Sequence, residues 1–268
     1  MWKTGRCFRR SVCCSRFCAG GAAFGGIHAG DRVNGENDSH GLMTERNTPL
    51  KIMEGLHAFM WNSMSANNCN TYLIDAGARV LIDPGHLTLF EHVNAGLKEL
   101  DLGPGDIDLI LSTHVHPDHV EAVKWFNGTP ALFAVNEEDW RLFREMAISL
   151  GAGMDVEAYV PDFFLAEGEL DVKGLKLEII HTPGHSPGSV SIYWRERKVL
   201  FTGDVIFKEG LGRTDLPGGN GELLKRSIKR LSEFDAEWML AGHGDVVAGA
   251  ERVRRNFENV ARYWFNFI

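Results

Sequence analysis

Long apolar runs are missing from this 268-residue chain. None reaches the roughly 18 uncharged residues that a membrane-spanning helix needs, so no membrane association is expected. Cysteine is nearly absent from the body: Cys7, Cys13, Cys14 and Cys18 all fall near the start, and Cys69 stands alone beyond them. That distribution gives neither a disulfide framework nor the paired C-x-x-C of a zinc knuckle. Positive charge is scarce where a nucleic-acid binder would need it. Of 28 Lys/Arg and 36 Asp/Glu, seven bases and four acids lie in the first 50 residues, which leaves 21 bases against 32 acids for the rest. An acidic body without a dense basic stripe repels a phosphate backbone, so no nucleic-acid partner is expected either.

Residues 1–30 hold five bases and no acid, but they lack the roughly 7 to 15 residue apolar core of a secretory signal. Residues 1–48 are expected to form a basic, Cys-rich leader outside the fold. An organelle-targeting segment fits those facts, and so does a misplaced start with Met43 as the true beginning; without targeting, the location is cytoplasmic. Residues 49–268 are expected to form a single folded domain.

Within that domain, β-branched and aromatic runs alternate with stretches of helical period. Strands are expected at 52–61, 70–75, 80–83, 107–112, 129–135, 175–181, 189–194, 198–202 and 238–241. Helices are expected at 87–100, 137–150, 222–234 and 249–265, and 151–167 reads as a surface loop with one helical turn. The order of strands, then helix, then strands occurs twice, which suggests two sheets packed face to face with helices outside.

The chemistry lies in Ser112-Thr113-His114-Val115-His116-Pro117-Asp118-His119, a turn expected to lead from a buried strand into a helix opening near Val120. Three histidines and an aspartate in six residues can aim several ligand atoms at one centre. Chance would place H-x-H-x-D-H in roughly one in a thousand chains of this composition. Three more candidates follow expected strands, each beside a glycine that lets backbone approach a crowded centre. They are His185 in Thr182-Pro183-Gly184-His185, Asp204 in Thr202-Gly203-Asp204, and His243 in Ala241-Gly242-His243-Gly244.

The series His114, His116, Asp118, His119, His185, Asp204, His243 resembles the metal-ligand set of the metallo-β-lactamase superfamily, over about residues 68–256. The resemblance implies an α/β (α+β) fold, a four-layer αβ/βα sandwich of two mixed β-sheets flanked by helices. It implies two divalent metal ions per chain, zinc first with iron or manganese as alternatives. His114, His116 and His185 would bind one, Asp118, His119 and His243 the other, with Asp204 bridging. True β-lactamases typically have Cys at the position of Asp204. Gly203-Asp204-Val205-Ile206-Phe207 with Gly212-Arg213-Thr214-Asp215-Leu216-Pro217 is similar instead to short glyoxalase II-like proteins and to persulfide dioxygenases. The implied activity is hydrolysis of a thioester or related ester on a small-molecule substrate, by a metal-bridging hydroxide that Asp118 also orients. The alternatives are an iron-dependent persulfide dioxygenase using mainly His114, His185 and Asp204, then a phosphodiesterase or nuclease of the superfamily, and last a non-enzymatic binding protein. Because the sequence ends about 25 residues after His243, the glutathione-holding helical domain of glyoxalase II is expected to be missing.

Other residues divide between site and scaffold. Asp83 follows a strand facing the site and is a candidate to accept a hydrogen bond from a ligand histidine. His86 and His181 read as turn or core histidines, and Asn67 and Asn68 as turn residues. Arg213 and Asp215 read as an ion pair pinning the loop after Asp204. Trp61, Trp140, Trp194, Trp238 and Trp264 fit apolar faces, with Trp264 and Phe265 also suited to covering a homodimer interface. Substrate choice is expected in loops 151–167 and 210–221.

Overall fold

The computed structural model describes residues 48–63, 65–149 and 155–268. All but the last residue of the expected leader therefore lies outside the described residues. Strands β1 (Leu50–Met53), β2 (Leu56–Phe59), β3 (Thr71–Asp75) and β4 (Arg79–Ile82) form an antiparallel meander. Strands β5 (Leu109–Leu111), β6 (Leu132–Asn136) and β7 (Phe163–Leu165) continue that sheet in parallel. In the second sheet β8 (Gly168–Val172), β9 (Leu175–His181), β10 (Val190–Trp194) and β11 (Val199–Gly203) are antiparallel. A small hairpin, β12 (Ile206–Phe207) and β13 (Gly210–Leu211), follows β11. Then β14 (Trp238–Ala241) joins β11 in parallel, and β15 (Val247–Ala248) closes the edge.

Side-chain alternation sorts the layers. Tyr72 and Ile74 of β3 and Val80 and Ile82 of β4 pack between the sheets against Ile192, Trp194, Val199 and Phe201. The intervening Leu73 and Leu81 face outward onto Val93 and Leu97 of α1 (Glu91–Glu99) and, with Phe133 and Val135, onto Trp140 and Phe143 beyond. Behind the second sheet, Tyr193 and Leu200 meet the apolar stripes of two helices. Strands covered on both faces read as nearly continuous apolar runs, as β10 and β11 do apart from Ser191 and Thr202.

Three further helices complete the scaffold after the single-turn α2 (Pro117–Val120): α3 (Glu137–Ser149), α4 (Gly221–Leu231) and α5 (Ala250–Trp264). The stripes Leu224, Ile228, Leu231 and Val253, Phe257, Val260 recur at i, i+4, i+7 and form the outer core of the second sheet. Helix α4 begins where it does because Asn220 Oδ1 accepts Leu223 N at 3.0 Å. The described residues thus form a four-layer αβ/βα sandwich. No helix among the described residues is long and apolar enough to cross a membrane.

Several expected boundaries move. The strand expected at 52–61 is two strands, β1 and β2, joined by a turn at Glu54 and Gly55. The loop expected at 151–167 contains β7, an edge strand with Phe164 facing solvent, after a 3-10 turn at Val156–Tyr159. Strand β8 was not expected, because its Glu169 and Asp171 are exposed and break the apolar signal. The helix expected to open near Val120 instead starts at Pro117. Trp264 is not core: it is 44% exposed, with Nε1 donating to Glu209 O at 2.8 Å.

Candidate metal centre

Five strands end at one edge of the sandwich, and each delivers a loop to the same place. From the first sheet, β4 leads to Asp83 and β5 to the turn holding His114, His116, Asp118 and His119; from the second, β9, β11 and β14 lead to His185, Asp204 and His243. His116 caps α2 and Pro117 occupies its first position, where its missing N–H and fixed φ cost nothing. That single turn carries Asp118 and His119 inward, and both are buried. Backbone bonds stitch the two halves: Val190 N donates to Thr113 O at 2.9 Å, and Asn70 N to Gly242 O at 2.7 Å. Gly242 has no room for a side chain, since a Cβ there would lie 2.3 Å from Asp204 Oδ1.

The sequence-identified residues converge into sets that could each hold a metal ion: His114, His116 and His185; His114, His119 and Asp204; and Asp118, His119 and His243. His116 Nδ1 lies 2.8 Å from His185 Nε2. Asp204 Oδ2 is 3.6 Å from His185 Nε2 and 3.4 Å from His243 Nε2, and its Oδ1 is 3.3 Å from His119 Nε2. Asp118 Oδ2 is 3.3 Å from His243 Nε2. Asp204 therefore stands between the two triads.

The surrounding acceptors fix how the imidazoles point. His119 Nδ1 donates to Asp83 Oδ2 at 3.0 Å, His185 Nδ1 to Arg213 O at 2.7 Å, and His114 Nδ1 to Thr113 Oγ1 at 3.1 Å. Each bond puts a proton on the outer nitrogen and turns the inner nitrogen toward the centre. The inner Nε2 of His114 is buried with no hydrogen-bond partner, and so is Oδ1 of Asp204. Buried acceptors left unpaired are costly, and a cation among them would satisfy both. On these grounds the residues fit a divalent-metal site. Asp83 is 2% exposed and also accepts Thr113 N at 2.7 Å and Thr113 Oγ1 at 2.8 Å, so it braces His119 directly and His114 through Thr113.

Charge divides the site. Burial, reinforced by neighbouring imidazoles, lowers His114 well below its usual pKa and His116 to about 4, and burial also lowers His185. Burial disfavours charge on Asp118 and Asp204 as well, but there the facing His119 and His243 outweigh it and hold both carboxyls well below their usual range. Against the same burial, hydrogen bonds to Asp118 and Asp204 push His243 up to about 9. His119, surrounded by Cys69, Asp204, Asp83 and Asp118, is likewise raised despite burial.

Beside these groups lies a cavity of about 580 Å³, walled by Asn67, Asp118, His185, Asp204 and His243 together with Met146, Phe207, Leu211, Arg213, Leu216 and Pro217. Four residues of loop 210–221 therefore line it, whereas no described residue of 155–167 does. Another cavity of about 550 Å³, at the end of α5, is lined by Glu209, Asn259, Tyr263, Trp264 and Phe267 and gathers no titratable cluster.

The remaining candidates resolve as follows. Arg213 and Asp215 form a bidentate pair at 2.7 Å, as expected. His86 pairs with Glu121 at 2.9 Å and His181 with Pro187 O at 2.8 Å, both outside the centre. Asn68 serves the turn, accepting His86 N at 2.8 Å, but Asn67 does not: its Nδ2 donates to Asp118 Oδ2 at 2.7 Å inside the cavity. Asn70 and Tyr72, not singled out from the sequence, hold the His243 loop. Asn70 Nδ2 donates to Ala241 O at 3.1 Å and Gly244 O at 2.9 Å, and Tyr72 OH to Ala241 O at 2.6 Å. No local signal marks them, because their partners lie about 170 residues away.

The family model of the metallo-beta-lactamase superfamily matches residues 64–243. Hydroxyacylglutathione hydrolase GloC of Haemophilus influenzae is 38% identical over 199 residues, 70% of this chain and 91% of that one. Probable metallo-hydrolase YqgX of Bacillus subtilis is 37% identical over 186 residues, covering 64% of this chain and 86% of its own. The structure of TTHA1623 in a di-iron-bound form superposes with a TM-score of 0.60 at 31% identity, over 73% of this chain and 96% of that chain. This chain belongs to the metallo-β-lactamase superfamily.

Proposed function

We propose that this member of the metallo-β-lactamase superfamily is a dinuclear metal-dependent hydrolase of thioesters or related esters on small molecules. The observation that carries the reading is the meeting of two ligand triads around one carboxylate, Asp204, at the wall of a cavity with an apolar lining. The kinship with hydroxyacylglutathione hydrolase GloC supports the thioester part. His114, His116 and His185 would hold one cation and Asp118, His119 and His243 the other, with Asp204 shared. Mixed imidazole and carboxylate donors suit zinc, iron or manganese, and the solved relative TTHA1623 carries two irons. Bound cations supply there the charge that brings a water's pKa toward neutrality and polarises a carbonyl oxygen.

The chain's own groups do the rest. Asp118, held ionised by His119 and His243, orients the attacking water through its carboxylate. Asn67 spends one amide hydrogen on Asp118 Oδ2 and has a second to offer a substrate oxygen. Phe207, Leu211, Leu216 and Pro217 exclude bulk water around the acyl group, which strengthens every charge interaction inside. No side-chain nucleophile is needed, and a thiolate, with a parent pKa of about 8.5, leaves without a strong acid.

The test is metal content per chain in protein purified without added metal, followed by assays of the same sample on S-lactoylglutathione and on glutathione persulfide with an oxygen electrode. About two metals per chain and hydrolysis without oxygen uptake are expected. A single iron with oxygen consumption would replace this reading with a persulfide dioxygenase.

A further inference from the structure

Behind the three histidines lies a carboxylate that never reaches the cavity. Asp139, in the first turn of α3, is 0% exposed. Its Oδ2 accepts Val115 N at 3.0 Å and Ser186 Oγ at 2.8 Å, and its Oδ1 accepts Gly188 N at 2.5 Å. Val115 stands between His114 and His116, and Ser186 follows His185. The Val115 turn leaves a strand of the first sheet, whereas Ser186 and Gly188 lie between β9 and β10 of the second. One buried side chain thus bonds both turns that carry this triad, across the seam between the halves.

The match is chemically specific. Every partner is a donor and an ionised carboxylate is an acceptor only, while an amide at the same place would turn one NH₂ toward an N–H. The N-terminal turn of α3 further favours a negative group there. Gly188 is part of the same fit: a Cβ would lie 2.5 Å from Asp139 N and 2.8 Å from Asp139 Oδ1, so a side chain would force the turn away from α3.

We propose that Asp139 is a positioning residue that clamps the His114–His116 turn to the His185 turn and thereby sets the gap in which the three-histidine cation is held. The proposal rests on the metal reading above. Asp118, His119 and His243 make no bond to Asp139; His119 N donates to His116 O at 2.9 Å, but the side chains of the three are held through Asp83, Asn67 and the His243 loop. Loss of the clamp therefore acts on one side of the site.

The test titrates metal-free wild-type protein, Asp139→Asn and Gly188→Ala with Co²⁺, followed by visible absorption, and with Zn²⁺, followed by calorimetry. Circular dichroism of each metal-free protein checks that it is folded. Wild type is expected to bind two equivalents. Asp139→Asn is expected to weaken one of them by about 10- to 100-fold, with a changed Co²⁺ spectrum for that equivalent, and to leave the other intact. Gly188→Ala keeps the carboxylate and is expected to reproduce the selective loss, so the proposal stays testable if Asp139→Asn does not fold. Folded variants in which both equivalents weaken alike, or neither changes, would overturn the positioning role while leaving the hydrolase reading standing. A wild-type protein that binds no cation would overturn both.

Discussion

The two triads answer the same problem in opposite ways. Around His114, His116 and His185 burial outweighs the opposing pull of Asp204, so all three are held below their usual pKa and stay neutral, as metal ligands must be. Across Asp204, the other triad gathers carboxylates, and without a cation its histidines take up protons as substitute positive charge. One side would meet a cation with neutral ligands, whereas the other would have to exchange protons for it. Neutral ligands give a cation little charge compensation but impose no proton cost, and ionised ones reverse that trade.

Asp204 is common to both sides, so its removal should erase the contrast. Asp204→Ala is expected to lower kcat/KM by about a thousandfold or more, about 4 kcal/mol of transition-state stabilisation, in steady-state assays; activity within tenfold of wild type would contradict its shared role. Asp83 touches one histidine of each side, His119 directly and His114 through Thr113. Asp83→Asn should therefore weaken both metal equivalents by about 10- to 100-fold in a calorimetric titration, where Asp139→Asn weakens one. Loss of a single equivalent would show that the Thr113 link carries nothing.

Proton release measures the contrast directly. Because His243 is raised to about 9, it is protonated at pH 7 and must give up its proton to bind metal. Affinity on that side should rise by roughly tenfold per pH unit per proton until pH passes about 9. On the three-histidine side His116, lowered to about 4, is already neutral, so affinity there should be flat across that range. Calorimetry in buffers of different ionisation enthalpy would show the released protons, and equal release from both sides would break the comparison.

The smallest effect sets a baseline away from the metal. Glu167 is lowered by its hydrogen bond to Arg230, against the opposing effect of burial. A depressed acid contributes stability above its ordinary pKa of 4.5 and loses it as pH falls through the lowered value. The pair is nearly half exposed, so Arg230→Ala should cost under about 1 kcal/mol at pH 7 and less in acid, as a small change in Tm. A shift that grows on acidification would reverse the assigned sign.

How legible the molecule was depends on where each residue finds its partner. The seven candidate ligands that the structure brings together stand out in the sequence because metal chemistry favours His and Asp, four of them fall within six positions, and the others sit beside glycines at strand ends. β9, β10 and β11 were found nearly to the residue, β9 because it alternates buried Leu175, Leu177 and Ile179 with Lys176 and Glu178, and β10 and β11 because burial on both faces leaves a nearly continuous apolar run. β7 and β8 were missed at sheet edges, where Phe164, Glu169 and Asp171 face water and the pattern dissolves. Asn67, Asn70, Tyr72 and Asp139 were invisible for a different reason. A polar residue ahead of a strand or in the first turn of a helix already has a local explanation, and only folding shows that its bonds cross to another part of the chain.

The strand ends that meet at the centre come from both sheets, so any occupant is bonded across the seam between the halves. Occupancy then acts as folding free energy: at a thousandfold excess over Kd a cation that binds only the folded chain adds about 4 kcal/mol. On the proposed metal reading, a chelator would in that sense act as a denaturant for this molecule. Amides that donate across the seam, such as Val190 N and Asn70 N, should exchange with solvent faster once a bound metal is withdrawn, well before the helices behind either sheet loosen.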